Sequence, residues 1–521
     1  MTGKPPTIEL TTPLYYVNAE PHLGHTYTTV IVDTLARFHR SMGREVFFLT
    51  GTDEHGDKIA RAAEAAGCEP REYADRVSDI FRSTWDECSI SYDHFVRTTD
   101  SYHVDFVREV LTRVNDAGDI YFDSYGGNYC TGCERFYADR ELVDGKCPDH
   151  ELEPEWIEEQ NYFFRLSAYQ QRLLDHLHDN PDFIRPEGYR NEVLSLLSEP
   201  LEDLCISRPV SRLEWGIPLP FDDNYVTYVW FDALLNYRSA LEFARGDKAD
   251  EFWQNANHFI AKDILKPHAV FWPAMLMAAG LPLYDRLNVH GYWNMGESKM
   301  SKSLGNVIRP LEMKERFGLD SFRYFLLREM SFGSDSSFTE DAFVRRFNGD
   351  LSNGLGNLVS RVLSMQNKYF DGLLQAPAAE DTSAEDMAAD ATIHAAFEKA
   401  EQRVPELLER LSFHLALEET WHALAACDKY IVDTVPFKLY KDASKRGRVG
   451  EILLLLCEAL LHAARLLAPF MPDSSAAISR LLNTDPVEMA EQPPAWGTAF
   501  KPGHRVGKPE PLFPRIEVDK Q

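Results

Sequence analysis

Over the first fifty residues, apolar runs alternate with helically spaced stretches. Residues 7–17 are rich in β-branched and aromatic side chains, Thr28 to Ser41 carries apolar residues at helical intervals, and Glu45-Val46-Phe47-Phe48-Leu49-Thr50 is again a largely apolar run. Strand, helix and strand at this spacing predict a right-handed crossover in a parallel sheet, hence a Rossmann-like half. From Gly118 to about Phe221 the regularity is lost. It returns at Tyr225 to Tyr237, an apolar strand running into a helix. The same pattern repeats at His258 to Ile264, continues through Pro267 to Pro273, and ends in a strand before His290-Gly291-Tyr292-Trp293. The pattern thus predicts an α/β fold, a parallel-sheet domain split by an inserted segment. From about Gly349, the runs Leu351 to Tyr369, Thr392 to Leu411, Leu415 to Val432 and Gly450 to Leu467 have helical spacing and predict an α-helical bundle. Ala376 to Asp390 reads as a loop or linker, and the proline-rich residues 484–513 as extended chain wrapping back. The sequence shows no internal repeat.

A chain of 521 residues exceeds one compact core, so two to four domains are expected. Its 54 basic against 82 acidic residues leave a net charge of −28. That balance excludes a whole-surface attraction to nucleic acid and leaves local basic patches, such as Lys438 to Arg448 with Lys441, Lys445 and Arg446, to hold any RNA. The N-terminal residues lack a signal-peptide core and no eighteen-residue apolar stretch occurs, so no membrane association and a cytoplasmic location are expected. Of eight cysteines, Cys68, Cys88, Cys205, Cys427 and Cys457 stand alone and read as isolated buried thiols.

The other three cysteines lie in Cys130-x-x-Cys133 and Cys147-x-x-His150, with thirteen residues between the pairs. Two short chelating turns joined by such a loop suit a tetrahedral zinc knuckle, present or ancestral, in which four protein ligands close the coordination sphere and make the metal structural. Pro21-His22-Leu23-Gly24-His25 places two histidines around a glycine where a helix opens. Free N–H groups and the helix dipole favour phosphate there, and Gly24 lets a base or phosphate approach the backbone, although such histidines also serve as caps. Gly51-Thr52-Asp53-Glu54-His55-Gly56 ends the second strand, where open α/β sheets place ligand contacts; the alternative is an Asp cap for a helix Lys58 to Ala66. Lys299-Met300-Ser301-Lys302-Ser303 offers two mobile cations in a Ser- and Gly-containing loop, suited to developing phosphate charge or to a solvated turn.

Taken together, His22-Leu23-Gly24-His25 and Lys299-Met300-Ser301-Lys302-Ser303 resemble, in order and separation, the two signature sequences of class I aminoacyl-tRNA synthetases. Thr11 to Pro21 and the block Tyr228 to Tyr237 look like the methionyl-tRNA synthetase family of bacterial type with a single zinc knuckle, and the likeness covers nearly the whole chain. The resemblance implies a catalytic domain in residues 1–117 and 225–290, a knuckle-bearing insertion at 118–224, a lysine-loop and stem-contact region at 291–348, and a helical anticodon-binding domain at 349–521. It implies that methionine and MgATP give methionyl-adenylate, and that the 3′-terminal adenosine of tRNA(Met) then accepts the methionyl group.

Carried over by position, Leu14, Tyr16, Trp230, Ala233, Leu234, Tyr237, Ile264, His268 and Trp272 would enclose the thioether, with Leu234 standing where a proline is frequent. Asp53 would bind the substrate ammonium, and Arg208 would help to fix Asp53 or the carboxylate. His22 and His25 would contact the phosphates, Lys299 and Lys302 the departing pyrophosphate, and Gly24, Asp263, Gly291 and Ser301 the rest of the nucleotide. Zn2+ would sit on Cys130, Cys133, Cys147 and His150, and Asn357 and Arg361, four apart on one helix face, would read anticodon bases. Phe437 would stack on such a base, in a Pro436-Phe437 pair where the family usually has Pro-Trp. The alternatives are another nucleotidyl-transferring member of this fold, a cytidylyltransferase or a different class I synthetase, against which the inserted knuckle and the long helical domain argue, since small transferases lack both, and a non-catalytic RNA-binding relative, whose decayed site would usually lose at least one of the charged signature residues kept here. No OB-like domain follows Gln521, so a monomer is expected.

Overall fold

The first strand does not run unbroken. β1 (Ile8–Thr11) stops before Pro13, which has no N–H to give to a ladder, and its line resumes as β2 (Tyr15–Tyr16). Thr11 pairs with Leu49 but Tyr15 with Thr52, four residues against three, so the expected strand over 7–17 is two strands with an offset at the proline. The computed structural model describes residues 6–517 except 131–134, 138, 149–150, 296–297, 300–307, 376–382, 487–488, 490–492 and 502. Two compact units result, one of residues 1–32 and 45–292, the other of 33–44 and 293–521.

In the first unit α1 (Leu23–Ser41, shared with the second unit after Val32) leads to β3 (Val46–Asp53), α2 (Asp57–Ala66), α3 (Pro70–Glu87), β4 (His94–Arg97) and α4 (Ser101–Asp116). All eight residues of β3 are buried, as expected of a strand covered on both faces. Gly51 is required where β3 passes β4, since a Cβ there would collide with the Val96 carbonyl. Next come β5 (Ile120–Cys130), β6 (Arg135–Tyr137), β7 (Glu155–Phe164), α5 (Gln170–Asp179), β8 (Ile184–Arg185), α6 (Glu187–Leu197) and β9 (Leu204–Cys205). β10 (Ser207–Pro209), β11 (Pro218–Leu219) and β12 (Asp222–Thr227) precede α7 (Val229–Ala233), α8 (Asn236–Arg245), α9 (Ala249–Trp253), β13 (Ala256–Ala261), α10 (Trp272–Ala278) and β14 (Arg286–His290).

The main sheet is parallel, in the order β2-β3-β1-β13-β14-β8 with β4 beside β3. Its partner strands β1 and β13 come from opposite ends of the first unit's sequence, which is the predicted split fold. Two details differ from the pattern-based reading. The strand before α7 belongs to a separate antiparallel sheet, β10-β12-β11, and β8, inside the irregular stretch, is an edge strand of the main sheet beside β14. The same stretch also holds α5, α6 and the antiparallel sheet β6-β5-β7-β9.

The second unit holds a small sheet of β15 (Trp293–Met295), β16 (Ser298–Lys299) and β17 (Ser336–Phe338), with α11 (Pro310–Phe317), α12 (Leu319–Glu329) and α13 (Glu340–Arg346). A π-helical stretch, Phe347–Gly356, runs into α14 (Asn357–Phe370). The predicted bundle follows as α15 (Ala384–Glu409), α16 (Phe413–Thr434), α17 (Pro436–Leu439), α18 (Arg446–Leu467) and α19 (Pro472–Leu481). α15 begins inside the expected linker because Ser383 caps it, its hydroxyl accepting from the Asp386 N–H at 3.1 Å, and because Arg448 grips Asp386 and Asp390. Arg448 is thereby spent and leaves the basic patch to its neighbours. Among the described residues no helix is long and apolar enough to cross a membrane. Cys88, Cys205, Cys427 and Cys457 are buried as expected, while Cys68 is only half-buried.

Candidate active site

α1 starts at Leu23, more than a turn before the expected Thr28, so Gly24 and His25 belong to its first turn. The Gly24 N–H donates to His22 Nδ1 at 3.1 Å, which folds the His22 ring back over the helix start. There it stacks on His25 with ring centroids 3.7 Å apart. A Cβ on Gly24 would lie 3.1 Å from His22 Cε1, so the glycine makes room for the fold-back itself. Tyr15 backs the pair, 4.8 Å from the His25 ring, with its hydroxyl 2.8 Å from Thr29 Oγ1 and 3.2 Å from the His25 carbonyl. Two imidazoles are thus held at a helix N-terminus, where an anion is favoured.

Beside them, His290 at the end of β14 was not singled out by the sequence. Its Nδ1 lies 2.7 Å from the Gly291 carbonyl, which can only accept, so the proton is on Nδ1 and Nε2 accepts from the Thr28 hydroxyl at 2.7 Å. Gly291 is buried, with its carbonyl used in this way, and Asp263 lies exposed on the short turn Lys262–Ile264 after β13.

The predicted apolar wall divides into rim and floor. Leu14, Tyr16, Trp230 and Ile264 are partly buried against the first unit's core, whereas Ala233, Leu234, Tyr237, His268 and Trp272 are buried. His268 Nδ1 donates to the Ile264 carbonyl at 2.9 Å, so Nε2 must accept, and the Tyr237 hydroxyl donates to it at 2.8 Å. Trp230 meets His268 edge-on at 6.1 Å, and Trp272 stands 6.2 Å from Tyr237. Every strong donor of the Tyr237–His268 pair is therefore occupied within the protein.

Burial pushes both His268 and His290 down to about 4 from the ordinary 6.5. Between those values the unfolded chain binds a proton that the folded chain refuses, so the stability of the neutral rings is complete above about pH 6.5 and is lost as pH falls toward 4. At pH 5 each histidine should cost about 2 kcal/mol of stability relative to neutral pH. The urea midpoint of the first unit should accordingly drop between pH 7.5 and 5, and less so in His268→Gln; a pH-independent midpoint would contradict the buried neutral state.

Asp53, 4% exposed, ends β3 opposite Tyr16. Its turn does not cap a helix: the residue before α2 is Gly56, and no side chain caps it. The turn is instead strapped down. Glu54, fully buried, accepts from Arg97 at 2.6 and 2.8 Å and from Thr99 at 2.6 Å, its carbonyl accepts from the Trp215 indole, and His55 is bonded to Asp232 at 2.7 Å. Sequence reasoning missed Arg97, Trp215 and Asp232; only Asp232, an acid inside an apolar run, carried a local signal. Arg208 is buried beside the rings of Tyr129 and Tyr228 and donates to the Ser207 carbonyl at 2.7 Å.

Cys130 and Cys147 are reduced, buried and packed in one small cluster with Tyr137 and Leu142. The Glu151 N–H donates to the Cys147 carbonyl at 2.8 Å, closing the tight turn that a Cys-x-x-His chelate needs. Cys133 and His150 lie outside the described residues, and among the described residues no three such ligands gather. Two buried thiols packed in one cluster, one at the end of β5 and the other at Cys147, fit the donor set of structural zinc. Lys299 is placed by its backbone in β16, opposite Asn294, while Ser301 and Lys302 lie outside the described residues.

In the second unit Asn357 and Arg361 share one face of α14. Asn357 is exposed and Arg361 is held at 2.9 Å by Asp428. Phe437, 46% exposed, projects from α17, which is anchored as Tyr440 stacks on Tyr369 at 4.2 Å and donates to the Tyr369 carbonyl.

The family model described as tRNA synthetases class I (M) matches residues 8–154 and 150–363, and that of the anticodon binding domain of methionyl tRNA ligase matches residues 377–521. A methionine–tRNA ligase of Caldanaerobacter subterraneus subsp. tengcongensis is 44% identical over 99% of this chain and 80% of its own length; one of Nostoc sp. is 42% identical over 99% and 98%. The Mycobacterium tuberculosis methionyl-tRNA synthetase in complex with methionyl-adenylate superposes with a TM-score of 0.91 at 41% identity, covering 98% of this chain and 100% of that one. These likenesses span the histidine turn, the apolar wall and the helical bundle alike, and the chain belongs to the methionyl-tRNA synthetase family of class I aminoacyl-tRNA synthetases.

Proposed function

We propose that the head of α1 is the nucleotide subsite, and the wall around His268 the methionine subsite, of a methionine–tRNA ligase. The enzyme activates methionine with ATP and transfers it to tRNA. The observation that carries the subsite assignment is the cage itself: a neutral His268 whose Nδ1 proton goes to Ile264 and whose Nε2 is taken by Tyr237, walled by Trp230 and Trp272. A thioether is polarizable and makes no strong hydrogen bond, so it is read by shape and ring contact, here beside a Tyr237–His268 pair whose own donors are already taken.

In the first step an oxygen of the methionine carboxylate attacks the α-phosphorus of ATP and the bond to pyrophosphate breaks, giving methionyl-adenylate. Asp53 holds the ammonium, His22 and His25 meet the phosphates at the helix N-terminus, and Lys299 and Lys302 follow the charge onto the departing pyrophosphate. Gly24, Asp263, Gly291 and Ser301 accommodate the remainder of the nucleotide. Mg2+ enters with ATP. In the second step a hydroxyl of the 3′-terminal adenosine of tRNA(Met) attacks the methionyl carbonyl and AMP leaves. No enzyme side chain is acylated, since positioning and charge stabilisation suffice. Asn357, Arg361 and Phe437 meet the anticodon. The protein acts in the cytoplasm as a monomer.

Methionine-dependent ATP–pyrophosphate exchange tests the assignment. Trp230→Ala should raise KM for methionine roughly tenfold or more, as expected for the loss of an aromatic wall, and leave KM for ATP near its original value. An unchanged KM for methionine would remove the cage from the substrate site.

Cys130, Cys133, Cys147 and His150 would hold one Zn2+, which ties the two turns together when bound. Cys130→Ala or Cys147→Ala should lose one equivalent of zinc by metal analysis and loosen the inserted sheet. Finding no metal in wild-type protein purified without chelator would leave the knuckle an empty relic.

A further inference from the structure

Asp232 is a fully buried carboxylate within Val229-Trp230-Phe231-Asp232-Ala233. A charge in such a place persists only when its lone pairs are taken. His55 Nδ1 lies 2.7 Å from one oxygen and His103 Nε2 2.9 Å from the other. An ionised carboxylate only accepts, so both imidazoles present N–H to it. On the far side of the ring, His103 Nδ1 is hydrogen-bonded to the Ser239 hydroxyl at 2.8 Å. Burial by itself would raise the Asp232 carboxyl, but the two histidines outweigh it and hold the group below the usual carboxylate range.

The four groups come from four elements. His55 lies in the turn after β3, two residues from Asp53; Asp232 lies on α7 between Trp230 and Ala233; His103 is on α4; and Ser239 is on α8, two residues from Tyr237. Glu54 ties the same turn to Arg97 and Thr99 beside the end of β4, while the bond from His55 to Asp232 ties it to α7, which carries Trp230 and Ala233 of the apolar wall. Methionine presents its ammonium and its sulfur a fixed number of bonds apart. An enzyme that reads both ends needs a fixed distance between the carboxylate that binds one and the wall that binds the other.

We propose that Asp232 is a positioning residue that sets the length of the methionine site, locking the Asp53 turn to the α7–α8 wall through His55 and backed by His103 and Ser239. The inference rests on the methionine subsite assigned above. Asp232 itself touches no substrate: its carboxylate is enclosed by the two imidazoles.

Steady-state pyrophosphate exchange on full-length protein tests this, with methionine and with ethionine, which is one methylene longer. Asp232→Asn cannot accept from both imidazoles at once, because one face of the amide offers N–H to an N–H. It should raise KM for methionine about tenfold, leave KM for ATP unchanged and narrow the preference for methionine over ethionine. Ser239→Ala, which removes only the outer support, should move the same two quantities by about two- to threefold, and His55→Gln, which keeps an N–H for Asp232, should retain more of the preference than His55→Ala. If Asp232→Asn does not fold, Ser239→Ala and the His55 pair decide the matter. KM values for methionine and ATP that rise together, or an unaltered ethionine ratio in every variant, would overturn the positioning role. Trp230→Ala separates the two readings: if it raises KM for methionine while the Asp232, Ser239 and His55 variants leave the ratio untouched, the site assignment stands and the length-setting role falls.

Discussion

Lys302→Ala should lower the rate of methionyl-adenylate formation by about two powers of ten or more while methionine binding changes little. The expectation follows from where charge develops. As the bond to pyrophosphate breaks, negative charge accumulates on the leaving group and not on methionine, so a cation that follows it stabilises the transition state more than the ground state. Loss of one such preorganised group typically costs about 10²–10³ in rate. The stacked histidines at the head of α1 are fixed by Gly24 and Tyr15 and would remain in place, so ATP should still bind. Rapid-quench measurement of the first turnover, with methionine affinity followed separately by fluorescence, separates the two effects. An unchanged burst of adenylate would take Lys302 out of the mechanism, and a parallel loss of methionine affinity would make its role structural.

The second large effect concerns tRNA. Asn357→Ala, Arg361→Ala and Phe437→Ala should each weaken charging roughly tenfold or more and leave tRNA-independent exchange intact, since stacking on one base is worth about 1–3 kcal/mol. The net charge of −28 makes these few local contacts more important than they would be on a basic protein. Arg361 is satisfied by Asp428 at 2.9 Å in the free chain, with both side chains about one-third exposed at 36% and 35%, so exchanging that partner for a base costs little. Phe437 is already exposed, presented by a turn that Tyr440 anchors on Tyr369, and needs no rearrangement to stack. Phe437→Trp enlarges the stacking face and should preserve or improve charging. Normal charging by all three alanine variants, or exchange that falls in step with charging, would move anticodon recognition elsewhere.

How much of this was legible in the sequence depends on whether the determining signal is local. The crossover from β1 through α1 to β3 was, because three consecutive elements carry their own periodicity. The break at Pro13 was legible in principle, from the missing N–H. β8 was not: two residues, Ile184 and Arg185, have no period, and only their pairing with Leu287 and Asn288 makes them a strand. The helical start of α15 was hidden by composition, since Ala, Asp and Glu serve a helix as well as a linker; Ser383 and the distant Arg448 decide between them. The histidine turn was named by its motif, and the wall residues by the family resemblance and not by their spacing. His103, Arg97 and Trp215 were not, because each acts on a motif residue from more than forty positions away in sequence and carries no spacing signal of its own. Motif and resemblance therefore named the residues proposed to touch substrate, and the structure was needed to find what holds those groups still.

The central claim, that the cage around His268 selects methionine for activation, is tested most directly by ATP–pyrophosphate exchange with a panel of all twenty amino acids, followed by charging of unfractionated tRNA. Exchange supported by methionine well above every other amino acid, with methionine recovered on tRNA(Met), is the predicted result. Exchange driven equally well by another amino acid, or none with methionine in the presence of MgATP, would contradict it.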